Sequence, residues 1–202
     1  MKNKQLFLTI LIPLLLILSP GGAIASPIYL SQSNELPDGL AYATVNIVFE
    51  NNKAQFEVDV NKKLFSGTGD NFGIDKFYFN TNLDLTEDDF DIDGGGKVSG
   101  LKNVAYFGRF NYELKIQPRV DPLLFTIEFQ EISIENFIAN DQDYTFAAHI
   151  ADFTFPDSGE ESAFFADGAP VPEPATMLLL GAGLIGIAGV GRKKFFKKNM
   201  KG

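Results

Sequence analysis

Gln55-Phe56-Glu57-Val58-Asp59-Val60 places an apolar side chain at every second position and a polar or acidic one between. A strand repeats every two residues and a helix every 3.6, so this run buries one face only as a strand. Tyr42–Phe49 has the same character, and Asn51-Asn52-Lys53 between them reads as a hairpin turn. Further strands are expected at 72–80, 88–92, 98–107, 110–117, 123–134 and 143–155, with a short edge strand at Ser162–Phe165. Pro118, Pro122 and Pro156 fall where strands should end. A helix over 131–138 is possible, but its β-branched content favours a strand. Short strands every ten residues or so predict an all-β fold, a single antiparallel β-sandwich of jelly-roll or immunoglobulin-like type.

Charge divides the chain into three. Residues 26–174 hold all 26 acidic residues and nine of the 17 basic ones, a balance of −17. Residues 1–25 and 175–202 are basic and acid-free. An electrostatic nucleic-acid binder needs Lys and Arg to displace phosphate counterions, so the body is expected to bind no nucleic acid. The absence of Cys excludes disulfides, thiol nucleophiles and Cys-based metal sites, and a single His excludes multi-His sites.

The two ends read as addresses. Lys2 and Lys4 precede an apolar run from Leu6 to Leu18, a Ser-Pro-Gly-Gly break and Ala23-Ile24-Ala25. That is a signal peptide over 1–25, with cleavage specified by Ala23 and Ala25 and Ser26 as the new N-terminus. The alternative is an uncleaved anchor. At the other end Val171-Pro172-Glu173-Pro174 precedes 17 charge-free residues, Ala175 to Gly191, and then Arg192-Lys193-Lys194. As a helix those 17 residues rise about 26 Å, slightly short of a hydrocarbon core of about 30 Å, and snorkelling lysines absorb the deficit. The basic cluster places the tail in the cytoplasm and the acidic body outside.

Proline, acid, proline, a Gly-rich apolar span and a basic end together resemble the PEP-CTERM sorting signal of Gram-negative bacteria that make exopolysaccharide. The resemblance covers about 30 residues. It implies that an exosortase, an integral-membrane protease, recognises the tail at Pro172, Glu173 and Pro174 and cleaves nearby. It also implies a precursor held in the inner membrane and a product at the cell surface or outside it. A permanent single-span anchor is the alternative. Asp70-Asn71-Phe72-Gly73, Asp89-Phe90-Asp91-Ile92, Pro122–Ile127 and Phe146–Ile150 further resemble elements of small exosortase-dependent extracellular proteins. That group has no common activity to carry over. The expected organisation is a signal peptide (1–25), a β-sandwich domain (26–168) and a sorting signal (169–202).

Candidate chemistry in the body is sparse. Asp89, Asp91 and Asp93 before Gly94 satisfy the first half of a calcium loop. The position of the closing Glu is Gly100, so an EF-hand is excluded and calcium could be held only in a turn-type site. The alternative is a solvated acidic turn with Phe90 and Ile92 facing inward. His149 has no G-x-S-x-G nucleophile motif to serve and reads as a hydrogen-bonded strand residue. Acid pairs such as Glu128 with Glu131 or Asp141 with Asp143 could imitate a glycosidase dyad, but chance pairs are inevitable among 26 acids. The six tyrosines could offer a sugar platform or could pack in the core.

These features predict a non-enzymatic, exported surface or matrix protein with no required cofactor. Its expected partners are signal peptidase, exosortase, the inner membrane in transit, and exopolysaccharide. A carbohydrate-binding module and a small hydrolase are the alternatives.

Overall fold

The alternating runs do become strands. The computed structural model describes residues 23–156 and 158–168. Among these, eleven strands form: β1 (Ala23–Ile24), β2 (Ile28–Ser33), β3 (Ala43–Glu50), β4 (Lys53–Val60), β5 (Gly67–Phe79), β6 (Phe90–Ile92), β7 (Gly96–Val104), β8 (Gly108–Val120), β9 (Leu123–Glu128), β10 (Phe146–Thr154) and β11 (Ser162–Asp167). The only helical pieces among the described residues are three 3-10 turns, at Lys62–Leu64, Glu87–Asp89 and Ile134–Asn136. The expected signal peptide up to residue 22 and the expected membrane helix lie outside the described residues. Among the described residues no helix is long and apolar enough to cross a membrane.

All strands belong to one antiparallel sheet with the path β6-β9-β4-β3-β2-β11-β10-β5-β8-β7, and β1 pairs with β3 beside β2. The β3–β4 hairpin turns through Asn51 and Asn52 at φ 52° and 62°. Two successive left-handed residues give a turn whose twist matches that of its strands, and Asn tolerates that conformation.

Inward-facing rings from distant parts of this path meet. Phe56 of β4 stacks on Phe125 of β9 at 4.4 Å, Phe77 of β5 lies 5.6 Å from Phe125, and Phe146 of β10 lies 6.3 Å from Phe56. The sheet must therefore curl until β4 and β9 cover β5 and β10. The shared core includes Val45, Ile47, Val58, Ile74, Phe79, Leu114, Ile127 and Phe165, each fully buried. Aromatic pairs add to the free energy of their area burial, and this core is built largely of them.

Four sequence expectations change. The strand favoured over 131–138 does not form: β9 ends at Glu128 and Ile134–Asn136 is a 3-10 turn. Ser162–Asp167 is an interior strand between β2 and β10, with Ala163 and Phe165 buried, and not an edge strand. β5, expected from residue 72, already starts at Gly67. β8 runs through Pro118, with the Gln117–Pro118 bond cis, because a bulged stretch opposite β5 leaves that position outside the paired ladder.

Candidate functional site

The sequence-derived sites fall into two groups. Pro172, Glu173, Pro174, Arg192, Lys193 and Lys194 lie outside the described residues. Glu173 is six residues beyond Asp167, the last residue of the sheet. Ala23 and Ala25 lie along β3: Ala23 is opposite Phe49, and the Ala25 N–H donates to the Ile47 carbonyl at 3.1 Å. Ser26 lies in the link between β1 and β2.

The structure does not draw Asp89, Asp91 and Asp93 together. Asp89 caps its own 3-10 turn, its Oδ2 accepting from the Thr86 N–H at 2.6 Å and the Thr86 hydroxyl at 2.8 Å. Asp91 is on the exposed side of β6, while Phe90 and Ile92 pack inward. Asp93 enters the turn to β7, and its N–H donates to the Leu124 carbonyl. Among the described residues no three His, Asp or Glu side chains converge as a metal site would require. Of the tyrosines, Tyr42 and Tyr78 are buried, and Tyr29 and Tyr106 are the two exposed rings.

Two shallow depressions mark the surface. One, of about 390 Å³, lies over Asn46, Gln55, Glu57, Leu124 and Thr126 on the outward side of β3, β4 and β9. The other, of about 370 Å³, is lined by residues including Thr86, Glu87, Ser99, Asn111 and Tyr112. Each holds a single carboxylate, so neither presents the facing pair that glycoside hydrolysis needs.

His149 has a partner that the sequence did not reveal. Its Nδ1 lies 2.6 Å from Asp75 Oδ1, and its ring packs on Phe164 at 4.5 Å. Asp75 is the extra residue of a bulge in β5: Ile74 is opposite Ile150 and Lys76 is opposite His149. A bulge re-aims a side chain, and this one turns the carboxylate onto the imidazole. Burial alone would raise the Asp75 carboxyl, but the His149 hydrogen bond and charge, with Lys76 and Arg119, hold it below the usual carboxylate value. Arg119 Nε stands 3.9 Å from Asp75 Oδ2, and its Nη1 donates to the Asn71 carbonyl. Among the described residues no serine hydroxyl hydrogen-bonds the His149 ring. The bulge also explains the Asn-Phe-Gly element before it. Gly73 has φ 144°, and a Cβ there would sit 2.6 Å from the Val120 carbonyl oxygen, so glycine is required.

Asp167 is a second perturbed carboxyl. It ends β11 with its side chain buried, accepting from the N–H groups of Thr145 and Phe146 at 2.9 and 3.0 Å. Burial pushes its carboxyl up to about 6, against the opposing pull of those hydrogen bonds.

An acidic all-β body, followed within a few residues by a Pro-Glu-Pro segment, an apolar run and a basic end, defines a surface protein delivered by its tail. The family model of the PEP-CTERM protein-sorting motif matches residues 170–193, so the chain carries the signal of an exosortase-processed protein. No curated protein and no solved structure matches the chain.

Proposed function

We propose that the protein is a non-enzymatic component of the surface or extracellular matrix of a Gram-negative bacterium. Signal peptidase releases it after Ala25, residues 175–191 hold the precursor in the inner membrane, and exosortase cuts near Pro172-Glu173-Pro174. The body is then a β-sandwich whose two layers are the halves of one curled sheet, and it associates with exopolysaccharide without a bound cofactor. The observation that carries this reading is the sorting-motif match at 170–193, beginning three residues after the last strand. A cut at the motif therefore spares every hydrogen bond of β11 and releases the body intact.

The test is deletion of residues 171–202 in the native host. The protein should then fail to reach the cell surface and accumulate in the periplasm. An unchanged distribution between membrane, surface and medium overturns the reading. The intact mass of the mature protein fixes both cleavage points.

A further inference from the structure

The strand register lines up five side chains that lie far apart in sequence. Phe164 of β11 is opposite His149 of β10, His149 is opposite Lys76 of β5, Lys76 is opposite Lys115 of β8, and Lys115 is opposite Lys97 of β7. Directly opposed residues of antiparallel strands project to the same face. Phe77, Leu114 and Ala148, one position along, are fully buried in the core, so the row lies on the opposite face: Lys97 and Lys115 are exposed, Lys76 and Phe164 are half-buried, and the His149 side chain is 16% exposed. A body with 26 acids and nine bases thus places three of its lysines side by side on adjacent strands.

Folding alone does not favour this arrangement. Like charges directly opposed in a sheet are destabilising. A lysine on an edge strand discourages unwanted pairing, which accounts for Lys97 on β7. It does not account for Lys115 and Lys76, whose strands have neighbours on both sides. Nor does ion pairing relieve them. Lys53 and Lys62 have carboxylates at 2.9 and 2.8 Å, whereas among the described residues none comes within 4.0 Å of Lys76, Lys97 or Lys115. The two acids of this face hydrogen-bond other groups, and Asp75 attracts Lys76 only from beyond 4.0 Å. Asp75 holds His149 and Arg119, and Glu113 accepts from the Ser99 hydroxyl at 3.2 Å.

We propose that this row binds a linear carboxylated polysaccharide laid across the strands, with carboxylates on the three ammonium groups and a sugar ring against Phe164 and His149. Neighbouring strands lie about 4.8 Å apart, so an extended polymer crossing them meets one cation per strand. The −17 body repels any polyanion, and duplex nucleic acid, with one phosphate per about 1.7 Å of axis, is repelled more than a polymer with about one carboxylate per strand. A second copy meets the same repulsion. The inference deepens the proposed matrix role and rests on it for the source of the polymer.

The experiment uses the full chain in detergent, with the six basic tail residues changed to Gln in every arm so that they do not contribute. Polygalacturonate, neutral dextran and a single-stranded oligonucleotide serve as probes, titrated at physiological salt. Polygalacturonate should bind, and the K76Q/K97Q/K115Q variant should lose about tenfold or more in affinity. The Lys→Arg version of the same three positions should bind as the parent does, and K63Q should change nothing. The triple Gln variant should unfold cooperatively with no fall in melting temperature, which separates lost binding from lost fold. Equal polygalacturonate binding by parent and triple Gln variant overturns the proposal. So does dextran or oligonucleotide binding as tight as polygalacturonate binding, or a self-association that the triple variant abolishes. Surface delivery of the triple variant, followed in the host, reports on the sorting reading separately, since the lysines are remote from residues 170–193.

Discussion

The outward side of β3, β4 and β9 and the outward side of β5, β8 and β10 obey the same alternation and carry opposite charge. On the first, Glu50, Glu57, Asp59 and Glu128 project around a single base, Lys53, which pairs with Glu128. On the second, Lys76, Lys115 and His149 align, with Lys97 beside them. Net charge conceals this polarity, because −17 is a sum over both faces. The difference teaches that alternation decides which residues face out, while strand register decides which of them become neighbours. Both faces rest on one aromatic core, so truncating that core should affect both faces and have the largest effect. Phe125→Ala and Phe77→Ala remove rings from opposite halves that touch each other. Each should cost about 3–5 kcal/mol in urea unfolding, within a single transition. Two separable transitions would mean that the faces belong to independent units.

The seam between the halves gives the next test. β11 joins β10 to β2, and Asp167 is opposite Leu30. Its carboxyl is raised to about 6 in the folded state, so the fold binds this proton more tightly than the unfolded chain does. Protonation therefore stabilises. The penalty is complete above about pH 6 and disappears as pH falls through the ordinary carboxylate value, a swing on the order of 3 kcal/mol. Asp75 runs the other way: its depressed value stabilises at neutral pH and that contribution is lost in acid. Stability should thus rise as pH falls from 7 toward 5. Asp167→Asn should flatten that rise, measured as melting temperature against pH. An unaltered slope would remove Asp167 as its cause.

A backbone change confined to one half comes third. Gly73→Ala forces a side chain toward the Val120 carbonyl at a φ that disfavours it. It should destabilise by about 1–3 kcal/mol. Because Gly73 adjoins the bulge that aims Asp75, hydrogen exchange should loosen around β5 and β8 and leave the β3–β4 hairpin protected. Equal loosening of both would show that the halves do not open separately.

How much of this was legible in the sequence follows from the same distinction. The hairpin at Asn51-Asn52 and the alternation of β4 could be read directly, because both are local. So could the sorting segment, whose signal is an order of residue types along the chain. β2 was not anticipated, since Ile28–Ser33 alternates weakly and is held by β3 and β11. Asp75–His149 and the lysine row were invisible for a stricter reason. Residues 76, 97 and 115 meet only after β5, β7 and β8 pair in one register, and no spacing within the chain encodes that register. The acidic run at 89–93 misled in the opposite way. Its spacing suggests a shared ligand, but alternation sends Asp91 outward while Asp89 closes the turn before it.

The smallest effect discriminates best between the two faces. Lys115→Gln removes the middle charge of the basic row, and Glu57→Gln removes a charge that, after burial and Asp121, helps to raise the neighbouring Asp59 carboxyl. If each face is a set of like charges held together by the core, both neutralisations should stabilise slightly, by less than about 1 kcal/mol each. Both gains should shrink in high salt, where exposed charges are screened within a few ångströms. The faces should then part on adding polygalacturonate. The polymer should raise the melting temperature of the parent and of Glu57→Gln, and raise that of Lys115→Gln by less, because a ligand stabilises only the fold that binds it. An identical rise in all three proteins would show that the difference in charge between the faces has no bearing on what the protein binds.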